Sequence, residues 1–169
     1  MNSGRAASRE EIRREIRALL GEAEALMLAT LGEDGRPDAG HAPYVQDAEG
    51  RLHVFVSRLA EHGRNLAARP QCSVLITASP GGNPFARRRL SYRCLAHPIP
   101  RTDPQAEKVL GRFRERFGKI VEVLAALEDF SLYRLDVESG RYVRGFGDAW
   151  LLDDVRAQGL RPNRPDAPR

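Results

Sequence analysis

The sequence is poor in cysteine, histidine and lysine: its 169 residues include 2 Cys and 4 His. Cys72 and Cys94 lie in apolar, strand-like stretches with no Cys-x-x-Cys spacing and no histidine at ligand distance, so a metal framework is not expected. They read as buried thiols, with a disulfide between neighbouring strands left open. No apolar leader marks the stretch from Met1 to Glu11, and the expected compartment is the reducing cytoplasm. No apolar run approaches the about 20 residues of a membrane helix. Gly-x-Gly-x-x-Gly, Walker A and nucleophile-elbow motifs are also missing, which leaves Rossmann, P-loop and hydrolase chemistry unsupported.

Lys108 and Lys119 are the only lysines among 27 basic residues, so the net charge of +4 is carried almost wholly by arginine. Arginines scattered among 23 acidic residues make a mixed, solvated surface rather than a nucleic-acid stripe. Neither a nucleic-acid nor a membrane partner is expected.

What the chain does hold is 41% hydrophobic residues, enough for one domain that withdraws about 70% of its unfolded surface from water. Ser8-Arg-Glu-Glu11 is a capping box, and Ile12, Ile16, Leu19 and Leu20 follow at helical spacing. Ala25 to Leu31, Ala39 to Val45 and Leu52 to Val56 read as three short strands separated by Gly-containing turns. A helix over 59–69 leads to two more strand candidates, Cys72 to Ala78 and Arg87 to Ala96. Thr102-Asp-Pro104-Gln105 opens a helix, and Ile120 to Leu127 suggests another. Phe130 to Val137 and Gly140 to Phe146 suggest a hairpin turning at Glu138-Ser-Gly140. Residues 1–152 are expected to form a single barrel domain and 153–169 a partly disordered tail, loosest from Gly159.

Two places carry candidate chemistry. The passage from Val56 through Ser57 into the 59–69 helix suits an anion, since a hydroxyl, free helix N–H groups and cationic side chains converge there; a simple helix cap explains the serine equally well. In the strand from Arg87, alternation puts Leu90, Tyr92, Cys94 and Ala96 inward together with Arg88, while Arg89, Ser91 and Arg93 face outward. An inward arginine needs an anionic partner or must snorkel from the rim. Pro43, inside an extended stretch, marks an edge, a bulge or a ligand-facing strand. Trp150 could cover a planar ligand or simply pack.

Taken in order, Leu28-Ala-Thr-Leu-Gly-Glu-Asp-Gly-Arg-Pro37, Ala42-Pro-Tyr-Val45, Ser57 to Pro70, Phe85-Ala-Arg-Arg-Arg-Leu90, Asp129-Phe130 and Gly145-Phe-Gly-Asp-Ala149 resemble the pyridoxamine 5'-phosphate oxidase-like FMN-binding split-barrel family. Within it the sequence is most similar to the branch of bacterial haem-utilisation proteins. The resemblance implies a mainly β (α+β) fold, a Greek-key split antiparallel β-barrel of six or seven strands with flanking helices. It also implies a cytoplasmic homodimer with its ligand in a cleft between subunits.

By the same resemblance Ser57, His62 and Arg88 would hold an FMN phosphate. Ala42 and Pro43 would line the flavin ring, and Asn65 and Arg89 would complete the contacts. Glu61-His62 stands where many relatives carry Arg-Lys. The Arg-x-His signature of true pyridoxamine phosphate oxidases is absent, so vitamin B6 oxidation is not expected. Haem-degrading relatives ligate iron through a C-terminal histidine, whereas the last histidine here is His97; Asp129 and the arginines of 85–90 do match that branch. The expectation is therefore a flavin-dependent oxidoreductase acting on a small-molecule redox substrate, with haem binding or degradation as the alternative. A non-catalytic binding module is a third reading.

Overall fold

The computed structural model describes residues 7–79 and 81–163. Helix α1 (Arg9–Glu22) starts where the capping box places it, with the Glu11 amide donating to Ser8 Oγ at 3.2 Å. Its apolar stripe, Ile12, Ile16, Leu19 and Leu20, is fully buried in the barrel core, and each such burial contributes roughly 1.5–3 kcal/mol.

Strands β1 (Ala25–Leu31), β2 (Pro37–Gln46) and β3 (Leu52–Ser57) form an antiparallel meander. Helix α2 (Glu61–Ala68) then carries the chain across, so that β4 (Gln71–Thr77) pairs with β1 rather than β3. That return beside the first strand is the Greek-key crossing. β5 (Arg89–Ile99) pairs with β4, and β6 (Phe130–Gly145) pairs with both β5 and β3, which closes a six-stranded antiparallel barrel. Inside, the period-2 pattern holds: Leu90, Tyr92, Cys94 and Ala96 are all buried.

Cys72 and Cys94 are reduced and directly opposite each other on β4 and β5. Helix α3 (Pro104–Phe117) is capped by Asp103, whose carboxylate accepts from the Gln105 amide at 2.8 Å. With α4 (Ile120–Ala125) it covers one outer flank of the barrel, enclosing a second core of Val45, Ile99, Val109, Phe113, Val121 and Leu132.

Two expectations change. The hairpin over 130–146 is instead the single long strand β6, because its pairing with β5 runs through the Glu138 to Gly140 region. There the register passes from Arg93↔Ser139 to Cys94↔Val137; the turn-like residues make a bulge, not a reversal. The true reversal is at Phe146-Gly147, where Gly147 adopts φ +74° and the chain enters β7 (Asp148–Leu152). The segment after residue 152 is also better packed than expected. Ala157 and Leu160 are buried, Arg13 donates to the Ala157 carbonyl, and Arg161–Pro162 pair with β7 as a short β8. The rest of the expected tail, 164–169, lies outside the described residues.

Candidate functional site

The strand-to-helix turn is the first place where sequence-expected residues can be located. Ser57, the last residue of β3, donates its hydroxyl to Asp129 Oδ2 and accepts the Leu59 amide at 3.0 Å. It caps its own turn, not α2, whose N-cap is Ala60 without a side-chain bond. Glu61 occupies the first helical turn and pairs with Arg64. A carboxylate on the serine and a second one at the helix start make this turn a poor seat for a phosphate dianion.

The turn is tight because Gly63 abuts it, where a Cβ would lie 2.0 Å from the Ser57 carbonyl oxygen. Asn65 is buried and donates to Thr30 Oγ1 at 3.0 Å, which ties α2 to β1. His62 stacks on the Gly40 backbone, where a Cβ would come within 2.5 Å of its ring. Burial holds the His62 imidazole below its usual 6.5, with Asp38 opposing.

Arg88 does not turn outward to a cleft. It lies beside the Tyr142 hydroxyl, which donates to Glu15 Oε2 at 3.0 Å; the Tyr142 pKa is raised by burial and by Glu15, with Arg88 opposing. Arg88 and Glu15 of α1 thus both meet the Tyr142 hydroxyl. Arg144 joins the same network through Glu11 and Glu15. Trp150 is buried and donates to Asp148 Oδ1 at 2.7 Å, a packing role.

The remaining residues point to the outer sheet face opposite α3 and α4. Ala42 is buried inside the barrel, while His41 and Pro43 on either side of it are exposed. Register assembles two rows across this face. One runs His41, Met27, Leu75, Ser91, Arg141; the next runs Ala39, Ala29, Ser73, Arg93, Ser139. Pro43 pairs with Ala25, and Arg89 with Thr77, at the adjoining level. Met27 is 51% exposed and Leu75 37%, so the β2-β1-β4 part of the face is apolar and bare.

Two hollows flank it. One of about 580 Å³ is lined by Ala25, His41, Pro43, Thr77 and Phe117, with Glu22 and Glu24 at its rim. The other, about 370 Å³, is lined by Ser73, Ser91, Arg93 and Arg141.

Of the four histidines, His41 on this face is the one left exposed and without a partner among the described residues. His53 is fully buried against Asp47 at 3.0 Å, His97 faces Asp136 at 3.3 Å, and His62 packs as described. His41 and His62 do not converge, since neighbouring residues of one strand point to opposite faces and His62 packs on Gly40. Among the described residues no group of three or more His, Cys, Asp or Glu could hold a metal ion, and no helix is long and apolar enough to cross a membrane.

Sequence reading missed Met27 and Leu75. The available signal was the unbroken apolar run Ala25 to Ala29, which implies cover on both faces of a strand.

A barrel of this topology with an α2 crossover defines a class, and the sequence assigns it: the family model of pyridoxamine 5'-phosphate oxidase matches residues 12–144, and the chain belongs to that family. Among individual relatives, it is 38% identical over 145 residues to the haem oxygenase HutZ of Vibrio cholerae, covering 83% of this chain and 82% of that protein. A crystal structure of HutZ, described as a haem storage protein from Vibrio cholerae, superposes with a TM-score of 0.68 at 37% identity, over 72% of this chain and 87% of that one. A haem-binding protein from Mycobacterium smegmatis gives a TM-score of 0.76 at 26% identity, over 91% of this chain and 61% of that one.

These relatives overturn the expected FMN-dependent oxidoreductase, since each carries a haem name. The chemistry of the turn agrees, for the Ser57 hydroxyl is bound to a carboxylate.

Proposed function

We propose that this protein binds haem and takes part in its degradation. The observation that carries the reading is the 38% identity to a haem oxygenase along most of both chains. The bare sheet face supports it, because its chemistry fits the group. Haem is a flat apolar plate with carboxylates on one edge, and here apolar Met27, Leu75, Ala25 and Pro43 adjoin outward Arg89 and Arg93. When bound, haem would supply the redox-active iron.

The chain's own part is to hold and orient the plate. Pro43 and Arg89 border it from opposite sides of the face, Ala42 fixes the strand from inside, and Ser57 and Asn65 hold α2 and its turn in place. We place the ligand between two copies of the chain in the cytoplasm, where Cys72 and Cys94 stay reduced.

Titrating the protein with haemin tests the reading. A saturable change in the Soret band is expected; its absence, or co-purification with flavin absorbance instead, refutes haem binding. Adding a reductant in air separates the two roles that HutZ is given, oxygenase and storage protein. Degradation bleaches the Soret band and delivers iron to a ferrous chelator, whereas a band that persists means storage. Light scattering at micromolar concentration tests the dimer, and a monomeric mass refutes it.

A further inference from the structure

The face that fits a porphyrin also carries an imidazole able to bind its iron. His41 projects outward from β2, lines the hollow of about 580 Å³, and makes no hydrogen bond or ion pair with any other described residue. The other three histidines are engaged or covered: His53 by Asp47, His97 by Asp136 and His62 by the Gly40 backbone. A neutral imidazole with an unused ring nitrogen is a normal axial donor to haem iron.

The surroundings of His41 are graded in the way an asymmetric plate requires. Its cross-strand neighbour is Met27, and beyond that Leu75, both exposed and apolar. Past them on β5, Arg89 and Arg93 flank Ser91 on the same outward face. β2 and β5 are three strand spacings apart, about 14 Å, a gap the arginine side chains shorten. Glu22 and Glu24 line the same hollow as His41. Carboxylates on the ligand are attracted to the arginines at the β5 end, which favours one direction for the plate.

Resting on the haem-binding reading above, we propose that His41 is the protein ligand to haem iron, with the porphyrin lying over Met27 and Leu75 and its carboxylate edge toward Arg89 and Arg93. The assignment needs no rearrangement of the barrel, since every residue it uses already faces out.

The test is spectroscopic and uses the full chain with haemin as the probe. The wild-type ferric complex should show nitrogen ligation in its absorption and electron paramagnetic resonance spectra. His41→Ala should lose that signature, and its haemin affinity should fall by at least about tenfold. Added imidazole should restore the spectrum, and circular dichroism should show an unchanged fold. His62→Ala should behave as wild type.

Haemin with both propionates esterified tests the orientation. It should bind the wild type more weakly than haemin does, and the Arg89→Ala/Arg93→Ala double variant should no longer discriminate between them. An unchanged spectrum in His41→Ala, or its loss in His62→Ala, overturns the ligand assignment while leaving haem binding intact. Absence of any Soret change in the wild type overturns both. If Met27→Asp alters the mass of the haem-free protein and leaves the haemin spectrum untouched, the face belongs to a second copy of the chain and the proposal fails.

Discussion

The barrel has two outer flanks built from the same strands, and they are finished differently. On the β2-β3-β6 side, Phe55 and Leu132 lie under α3 and α4, with Phe55 5.1 Å from Phe130 and 6.1 Å from Phe113 between ring centroids. Even the histidine there is closed in: His53 is fully buried, bonded to Asp47. On the β2-β1-β4-β5 side helix residues reach only the edge, where Phe117 of α3 lines the hollow beside His41, and Met27, Leu75 and His41 stand exposed. An apolar strand face left bare by a chain that covers its counterpart marks a surface kept for a ligand or partner. Covered and bare flanks should thus answer mutation oppositely, the first in stability and the second in binding.

The largest effect is expected at the centre of the covered flank. Phe113→Ala removes a buried ring that packs on Phe55 and Phe117, and should cost about 3–5 kcal/mol in a denaturant melt. Its haemin affinity, measured below the melting range, should match the wild type. A smaller loss is expected at the junction of the two flanks. Gly63→Ala drives a Cβ toward the Ser57 carbonyl, and overpacking of this kind costs roughly 1–3 kcal/mol. Wild-type stability in that variant would mean that α2 is free to shift away from β3.

Much of this division is legible in the sequence, and the failures share one cause. The inward set of β5 and the caps at Ser8 and Asp103 were readable because strand alternation and capping are local. The cover of Phe55 was not, because it comes from α3, far along the chain. Glu138-Ser-Gly140 has the composition of a turn, but pairing with β5 outweighs it. Ser57 looked free to meet a phosphate, and its partner Asp129 is 72 positions away. The site is less legible than the fold for the same reason. His41, Met27, Leu75 and Arg93 become neighbours only once the register of four strands is set.

Acid should weaken the covered flank. Burial holds the His53 imidazole below its usual 6.5, with the bond to Asp47 opposing. The unfolded chain therefore takes up a proton that the folded state resists, so the stability tied to His53 is complete above pH 6.5 and is lost as pH falls through the folded value. His62, shifted the same way, adds to the trend. Burial also pushes the Asp47 carboxyl up, but hydrogen bonds from His53 and Arg51 outweigh it and hold it below 3.8, so its share is lost at still lower pH. The melting temperature should decline from about pH 6.5 toward about pH 5, and His53→Gln, which keeps a donor for Asp47 and does not titrate, should flatten that decline. A wild-type melting temperature that stays level across the interval would contradict this reading of His53.

The smallest effect on stability and the clearest on binding should come from the bare flank. Leu75 is exposed beside Met27 and has no helix over it, so Leu75→Glu removes little packing and should change unfolding free energy by no more than about 0.5 kcal/mol. It does place a carboxylate in the middle of the apolar rows, between His41 and the β5 arginines. A plate with its own carboxylates would then have to cover a charge and desolvate it. Haemin affinity should fall clearly, while the isosteric change Leu75→Met, which restores apolar volume, should leave it near the wild-type value. If Leu75→Glu instead melts the protein as Phe113→Ala does, the bare flank is structural and the contrast between the two sides of the barrel disappears.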